Sequence, residues 1–376
     1  MRVLFTFAGG LGHFQPLVPL ATAVAAAGHT VAFAAHPTVL RAIEAAGFTA
    51  FAVGEGSADE VPERRPLLAP DREREDRDLR DGFVRRGAGR SLPRYLELFA
   101  RWRPHVVVCE EVDFGSVLAA EVLGLPHANA QVIASGAFVR PAVVGQALAE
   151  LRAEWNLPPD PDLAMLHRRL LISPFPPSFR DPASPLPATA FPIRPPVGPV
   201  ARSASPTVYF TLGTVFNTES GDLFSRVLAG LRELPVDVVV TVGRHVDPAE
   251  LGEQPANVRV ARYLPQAEVL PHCDLVVSHG GSGSVIGALA HGLPVVLLPL
   301  GADQPHNAEQ CVRLGVGREL DPITATPGDV RTAVAEVLAD PAHRRAAERV
   351  REEMLGLPEP ARAVPELERL AGLARR

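Results

Sequence analysis

Twice along this chain, short apolar runs alternate with helix-length stretches that close on a glycine. In the first half the apolar runs cover residues 2–7, 30–35, 48–53 and 106–109. Helical stretches cover 14–27, 38–46 and 115–123, followed by Gly28, Gly47 and Gly124. In the second half strands are expected at 207–212, 236–242, 258–262, 274–278 and 294–300, with helices at 223–234 and 285–291. Near-continuous apolar strands separated by helices need crossover connections, and so build parallel sheets covered on both faces. The chain is therefore read as α/β, with two doubly wound units. At 376 residues and 47% hydrophobic composition it is long and apolar enough for two cores.

Between the halves, residues 173–200 carry recurrent proline without sustained periodicity, which reads as a linker. The expected domains are 1–198, ending in that linker, and 199–376. The charged stretch 71–81 reads as a solvated loop or exposed helix, and the tail 358–376 as an amphipathic helix. A net charge of −6 offers no basic footprint for nucleic acid. No apolar run reaches the roughly 18 residues of a membrane span. Residues 2–7 are too short for a signal peptide and read as a core strand. Cys109, Cys273 and Cys311 have neither paired nor metal-like spacing, so a reduced, cytoplasmic protein is expected.

The most chemically specific stretch is His279, Gly280, Gly281, Ser282, Gly283 and Ser284, which joins a strand end to a helix start. A small-residue turn in that setting points backbone N–H groups outward, where orphan amides and the helix dipole favour negative charge. His279 adds a donor at its mouth, and a phosphate or diphosphate is the expected guest. Thr214, after the run 207–212, can give a hydroxyl to the same group. Asp303 and Gln304, after the run 294–300, can hold neighbouring hydroxyls of a polyol. The carboxylate accepts, and the amide both accepts and donates. Tyr263, at the head of the Tyr263–Gln266 stretch, can offer its ring to a base.

In the first half, His13 lies just past the first strand, where ligands bind in open α/β sheets. It is either a general base toward a hydroxyl or a loop residue capping the next helix. Glu110, Glu111 and Asp113 follow the run 106–109 on the same sheet edge. One of them can fix the imidazole tautomer and stabilise the imidazolium, or the loop is merely acidic and exposed. Two other classes fit poorly. The turn Gly9–Phe14 lacks the third glycine of a dinucleotide fingerprint, the second turn has Ile286 there, and the second strand ends in His36 rather than a carboxylate. The two Asp-x-Asp pairs, Asp76/Asp78 and Asp160/Asp162, do not follow strands, so no metal site is expected.

A donor signature of Tyr263 to Gln266, His279 to Ser284, then Asp303 and Gln304, resembles that of the family 1 GT-B glycosyltransferases. The likeness is greatest to the macrolide-type, natural-product enzymes of actinomycetes. The resemblance implies a GT-B fold: two facing Rossmann-like domains, with the C-terminal helix crossing back to the first. It implies that His279, Thr214 and the amides of Gly281, Ser282, Gly283 and Ser284 hold the diphosphate. Tyr263 stacks on the base, the Leu264 backbone bonds it, and Asp303 and Gln304 hold the sugar. His13 is the base and Glu110 its acidic partner. Gly287 stands where many relatives have a glutamate for the ribose, which leans toward dTDP over UDP.

The expected function is inverting, metal- and cofactor-independent transfer of a sugar from a dTDP- or UDP-linked donor. The sugar is read as a deoxysugar, and the acceptor as a small hydrophobic polyketide or aromatic aglycone. A homodimer is compatible with the fold. A C-glycosyltransferase, a nucleotide-sugar epimerase and a non-catalytic partner of another transferase share it. The last would be expected to lack the His13 and Glu110 pair.

Overall fold

The computed structural model describes residues 1–56, 63–201 and 205–373. Its first sheet has seven strands: β1 (Arg2–Thr6), β2 (Thr30–Ala35), β3 (Thr49–Ala52), β4 (Val106–Glu110), β5 (His127–Ala130), β6 (Leu171–Ser173) and β7 (Ala190–Pro192). Their order is β3-β2-β1-β4-β5-β6-β7, with every pair parallel. The second sheet has six: β8 (Thr207–Thr211), β9 (Asp237–Thr241), β10 (Val258–Ala261), β11 (Leu275–Ser278), β12 (Val295–Leu297) and β13 (Gly317–Glu319). Their order is β10-β9-β8-β11-β12-β13, again all parallel. The two doubly wound units of the sequence reading are present.

Each sheet has a point where the strand order reverses, between β1 and β4 in one and between β8 and β11 in the other. Open α/β sheets bind ligands outside the carboxyl ends of the strands at such points. His13 follows β1 and Glu110 ends β4; Thr214 follows β8 and His279 follows β11. All four therefore emerge where the topology opens a crevice.

The central strands are buried along their length, as a sheet covered on both faces requires. Phe5 pairs in register with Phe33, and their rings stack at 5.1 Å. Phe14 meets Phe33 edge-on at the same separation, which seats the helical turn carrying His13 on the sheet. In the second unit Phe210 of β8 packs on Phe224 of the helix Leu223–Leu231, 5.3 Å between centroids.

Three expectations need revision. The proline-rich stretch is only partly linker, because β7 lies inside it and pairs Phe191 with Ile172 of β6. Proline is tolerated there because β7 is an edge strand. The charged stretch takes the helical one of its two readings, but it is not exposed throughout. It forms a helix, Arg72–Arg77, that continues into a wider π-type segment, Asp78–Ala88, burying Leu79, Val84 and Ala88. Its short apolar spacing was masked by surrounding charge. The tail becomes a single turn, Pro360–Ala363, and a short helix, Val364–Leu370; residues 374–376 of that expectation lie outside the described residues. Ala363, Val364 and Leu367 are buried in the core of the first unit, so the chain does cross back. Glu368 also meets His29 at 2.9 Å.

Candidate active site

His13 sits in the turn of helix Leu11–Phe14, with its backbone N–H on the Gly10 carbonyl. Its ring lies over Gly9, where a β-carbon would come within 2.7 Å of it; only glycine fits beneath. The side chain is 27% exposed, toward the cleft, and its Nδ1 lies 3.3 Å from Oε2 of Glu110. That approach is an ion contact rather than a well-aligned hydrogen bond, since Nδ1 has no directed partner. Burial pulls the imidazole pKa down, but Glu110 outweighs it, with smaller help from Asp303 and Glu111, and the net shift is upward. Glu110 itself is fully buried and held by the backbone N–H groups of Val112 at 2.9 Å and Ala8 at 3.3 Å.

The other two acidic residues have different tasks. Glu111 accepts from the N–H groups of Val132 at 2.6 Å and Ile133 at 2.7 Å, fixing the loop after β5. Burial, with the charge of Glu110 beside it, pushes its pKa up to about 8. Asp113 caps the helix Phe114–Val122 through the Ser116 N–H and takes the Tyr95 hydroxyl at 2.6 Å. Burial pushes it up to about 6. Of the three carboxylates, Glu110 is the one in contact with the histidine.

Across the cleft, Gly281 caps the helix Ser282–Ala290 without a side chain, and the N–H groups of Gly281, Ser282 and Gly283 take no partner among the described residues, whereas the expected fourth amide, Ser284, turns back onto the Gly281 carbonyl at 3.0 Å. His279 is buried, and its ring is wedged between Gly213 and Gly281. A β-carbon on either would come within 2.7 Å of Nε2. Burial alone pushes its pKa down to about 4, so it faces the turn as a neutral imidazole with one N–H to give. Its Nδ1 has no partner among the described residues.

The expected site residues converge on connected cavities. A central one of about 430 Å³ is lined by His13, Thr214, Gln266, His279, Gly281, Ser282, Gly283, Ser284, Asp303 and Gln304. A second, about 280 Å³, is walled by Thr214, Tyr263, Leu264 and Gln266. A third, about 800 Å³, opens on the first unit between Phe7, Phe83, Tyr95 and Phe114. Glu110 stands behind His13 rather than on the cavity wall.

Two details depart from the sequence reading. The Gln304 carbonyl oxygen accepts from the N–H of Leu300 at 2.7 Å and of Gly301 at 3.3 Å, so this amide cannot also accept from a ligand. Tyr263 is 44% exposed, but the Arg244 guanidinium lies 5.2 Å over its ring, leaving a single face for stacking. Sequence reasoning missed Arg244, and also Glu75, Asp78 and Phe83, which line the central cavity from the charged stretch. Asn307, another omission, lies four residues beyond Asp303 at the same helix start, a spacing that places both on one face.

One member of each Asp-x-Asp pair is engaged by the fold. Asp76 takes two bonds from Arg140, at 2.6 and 2.7 Å, and Asp160 accepts from the N–H groups of Ala164 and Met165. Among the described residues, no group of three or more His, Cys, Asp or Glu is placed to hold a metal ion. Nor is any helix among them long and apolar enough to cross a membrane.

Residues 225–370 match the family described as Erythromycin biosynthesis protein CIII-like, C-terminal domain. Over its whole length the chain is 32% identical to the 10-deoxymethynolide desosaminyltransferase of Streptomyces venezuelae, covering 98% of that protein. It belongs to the actinomycete antibiotic glycosyltransferases. The erythronolide mycarosyltransferase of Saccharopolyspora erythraea is 30% identical over 98% of this chain and 99% of its own. Among solved structures, the spinosyn rhamnosyltransferase superposes with a TM-score of 0.82 at 25% identity, over 98% of this chain and all of that one. The same enzyme with thymidine diphosphate gives 0.80. This glycosyltransferase thus has the GT-B architecture of its relatives, with both histidines facing the cleft between its units.

Proposed function

We propose that this glycosyltransferase moves a deoxysugar, with inversion and without metal or cofactor, from a dTDP-linked donor to a hydroxyl of a hydrophobic polyketide-type acceptor. The observation that carries the reading is one cavity lined by both the His13 base and the His279 phosphate turn. The acceptor lies in the pocket between Phe7, Phe83 and Tyr95, whose wall also carries Arg90, Arg94 and Glu55. Neutral His13 takes the proton of the acceptor hydroxyl, and Glu110 steadies the imidazolium that forms. The oxygen attacks the anomeric carbon on the face away from the diphosphate. The leaving diphosphate gathers charge, which the amides of Gly281, Ser282 and Gly283 and the His279 N–H stabilise by being in place beforehand. Asp303 holds sugar hydroxyls through its free oxygen. Relatives that carry desosamine or mycarose, and a neighbour holding thymidine diphosphate, support the donor class.

The test is turnover of a dTDP-deoxysugar with macrolactone and aromatic aglycones in excess EDTA, with the anomeric configuration of the product read by NMR. Full activity in chelator and an inverted anomer are expected. Loss of turnover that Mg²⁺ restores, or retained configuration, overturns the mechanism.

A further inference from the structure

A buried hydrogen-bond cluster lies between the two units, behind the donor turn. The Ser282 hydroxyl donates to Oδ2 of Asp303 at 2.5 Å. It accepts from the Ala134 N–H at 2.8 Å and from the Asn307 amide nitrogen at 3.0 Å. One donor and two acceptors exhaust a hydroxyl, so Ser282 has nothing left for a ligand. Asn307 is fully buried. Its Nδ2 has two hydrogens for three acceptors: the Gly280 carbonyl at 3.0 Å takes one, and Ser282 Oγ and Oδ2 of Asp303, the latter at 2.8 Å, share the other. Its Oδ1 accepts from the Ser135 N–H at 3.2 Å. The orientation of the amide is fixed by chemistry: the Ser135 N–H needs an acceptor and the Gly280 carbonyl needs a donor.

Both bonds to Asp303 land on the same oxygen. The second oxygen takes no hydrogen bond from the described residues, and Asp303 lines the central cavity. Two donors on Oδ2 therefore set the rotation of the carboxylate and present Oδ1 as the binding edge. The same two side chains grip the loop whose N–H groups at Val132 and Ile133 are held by Glu111. One run of buried bonds thus connects the end of β4, the acceptor-side wall and the donor carboxylate.

We propose that Asn307 and the Ser282 hydroxyl are positioning residues that orient Asp303 toward the donor sugar, with the 132–135 loop of the first unit keyed to the same pair. The proposal rests on the donor assignment made above and adds residues that do not touch the sugar. A side chain acting through Asp303 affects recognition of the sugar and leaves recognition of the nucleotide alone. A residue that merely holds the fold together weakens both.

The experiment titrates dTDP and dTDP-glucose calorimetrically into the intact chain, reading the ratio of their dissociation constants. Asn307→Ala should raise the ratio of dTDP-glucose to dTDP by roughly tenfold, the scale of a charge-assisted contact. Affinity for dTDP alone should fall much less than that for dTDP-glucose, since Asn307 reaches the phosphate turn only behind its amides, through the Gly280 carbonyl and the Ser282 hydroxyl. Ser282→Ala should shift the ratio the same way without opening a cavity as large. In an Asp303→Ala background, adding Asn307→Ala should leave the ratio where Asp303→Ala put it. Equal weakening of both ligands, or independent effects in the double variant, overturns the positioning role. If the wild type binds neither probe, the donor assignment itself has failed, and the inference falls with it.

Discussion

His13 and His279 both sit in turns that follow a core strand and face one cleft, yet their surroundings push them in opposite directions. Around His279 burial acts alone, and the ring stays neutral down to about pH 4. Around His13 burial is again the largest single influence, but Glu110 at 3.3 Å, helped by Asp303 and Glu111, turns the net shift upward. The comparison teaches that the same side chain becomes a permanent donor or a titrating base according to one carboxylate. A leaving diphosphate needs a donor whose state does not change with pH. An acceptor hydroxyl needs a group that can take a proton and keep it.

The largest effect should come from the base. His13→Ala is expected to lower kcat by roughly 10²–10⁴-fold, the usual scale of general-base help. Donor affinity, read by titration, should stay unchanged because the residue contacts the acceptor side. A well-folded, fully active variant would falsify the assignment.

Next comes the donor. His279→Ala should weaken dTDP binding by roughly 1.5–3 kcal/mol, the range for a hydrogen bond to a charged group. The wild-type loss should be the same at pH 6 and pH 8, because the ring is neutral at both. A contribution that grows as pH falls from 8 to 6 would mean that His279 binds as a cation and that burial does not control it.

The third test exchanges the feature that separates the two histidines. Catalysis needs neutral His13, so a raised pKa places the acid limb of kcat/KM above the ordinary histidine range. In Glu110→Gln, burial remains while its main opponent is gone, and the limb should move to lower pH as kcat falls. If the limb stays in place, a group other than His13 sets it.

The smallest effect concerns the ribose. A β-carbon at Gly287 would stand 3.0 Å from Oε1 of Gln266, so a side chain there meets the wall of the nucleotide cavity. Gly287→Glu is expected to shift kcat/KM toward UDP over dTDP sugars by a few-fold once Gln266 yields. An unchanged ratio removes Gly287 as a cause of donor choice.

Much of this was legible in sequence because the signals are local. Apolar runs and glycine-closed helices announced both sheets, and the small residues after residue 278 announced the turn that opens the helix Ser282–Ala290. The edge strand β7 was not legible, because proline hides a strand whose pairing comes from β6. The helix at Arg72–Arg77 and its π continuation were obscured for a related reason: three buried side chains scattered among charges make no clear period.

Residue type and order alone determined that this chain builds two parallel sheets, and which strand-end turns gather the histidines, glycines and hydroxyls that line the cleft. Those are properties of hydrophobic period and of strand-to-helix spacing, which act within a few residues. Only the tertiary structure decided that Glu110, and not Glu111 or Asp113, meets His13. It alone showed that the Gln304 side-chain oxygen is spent on its own loop, and that Asn307 and Ser282 both bond to Oδ2 of Asp303. The first depends on segments about a hundred residues apart; the others depend on how side chains turn within one loop and between two helix starts, which residue order does not encode.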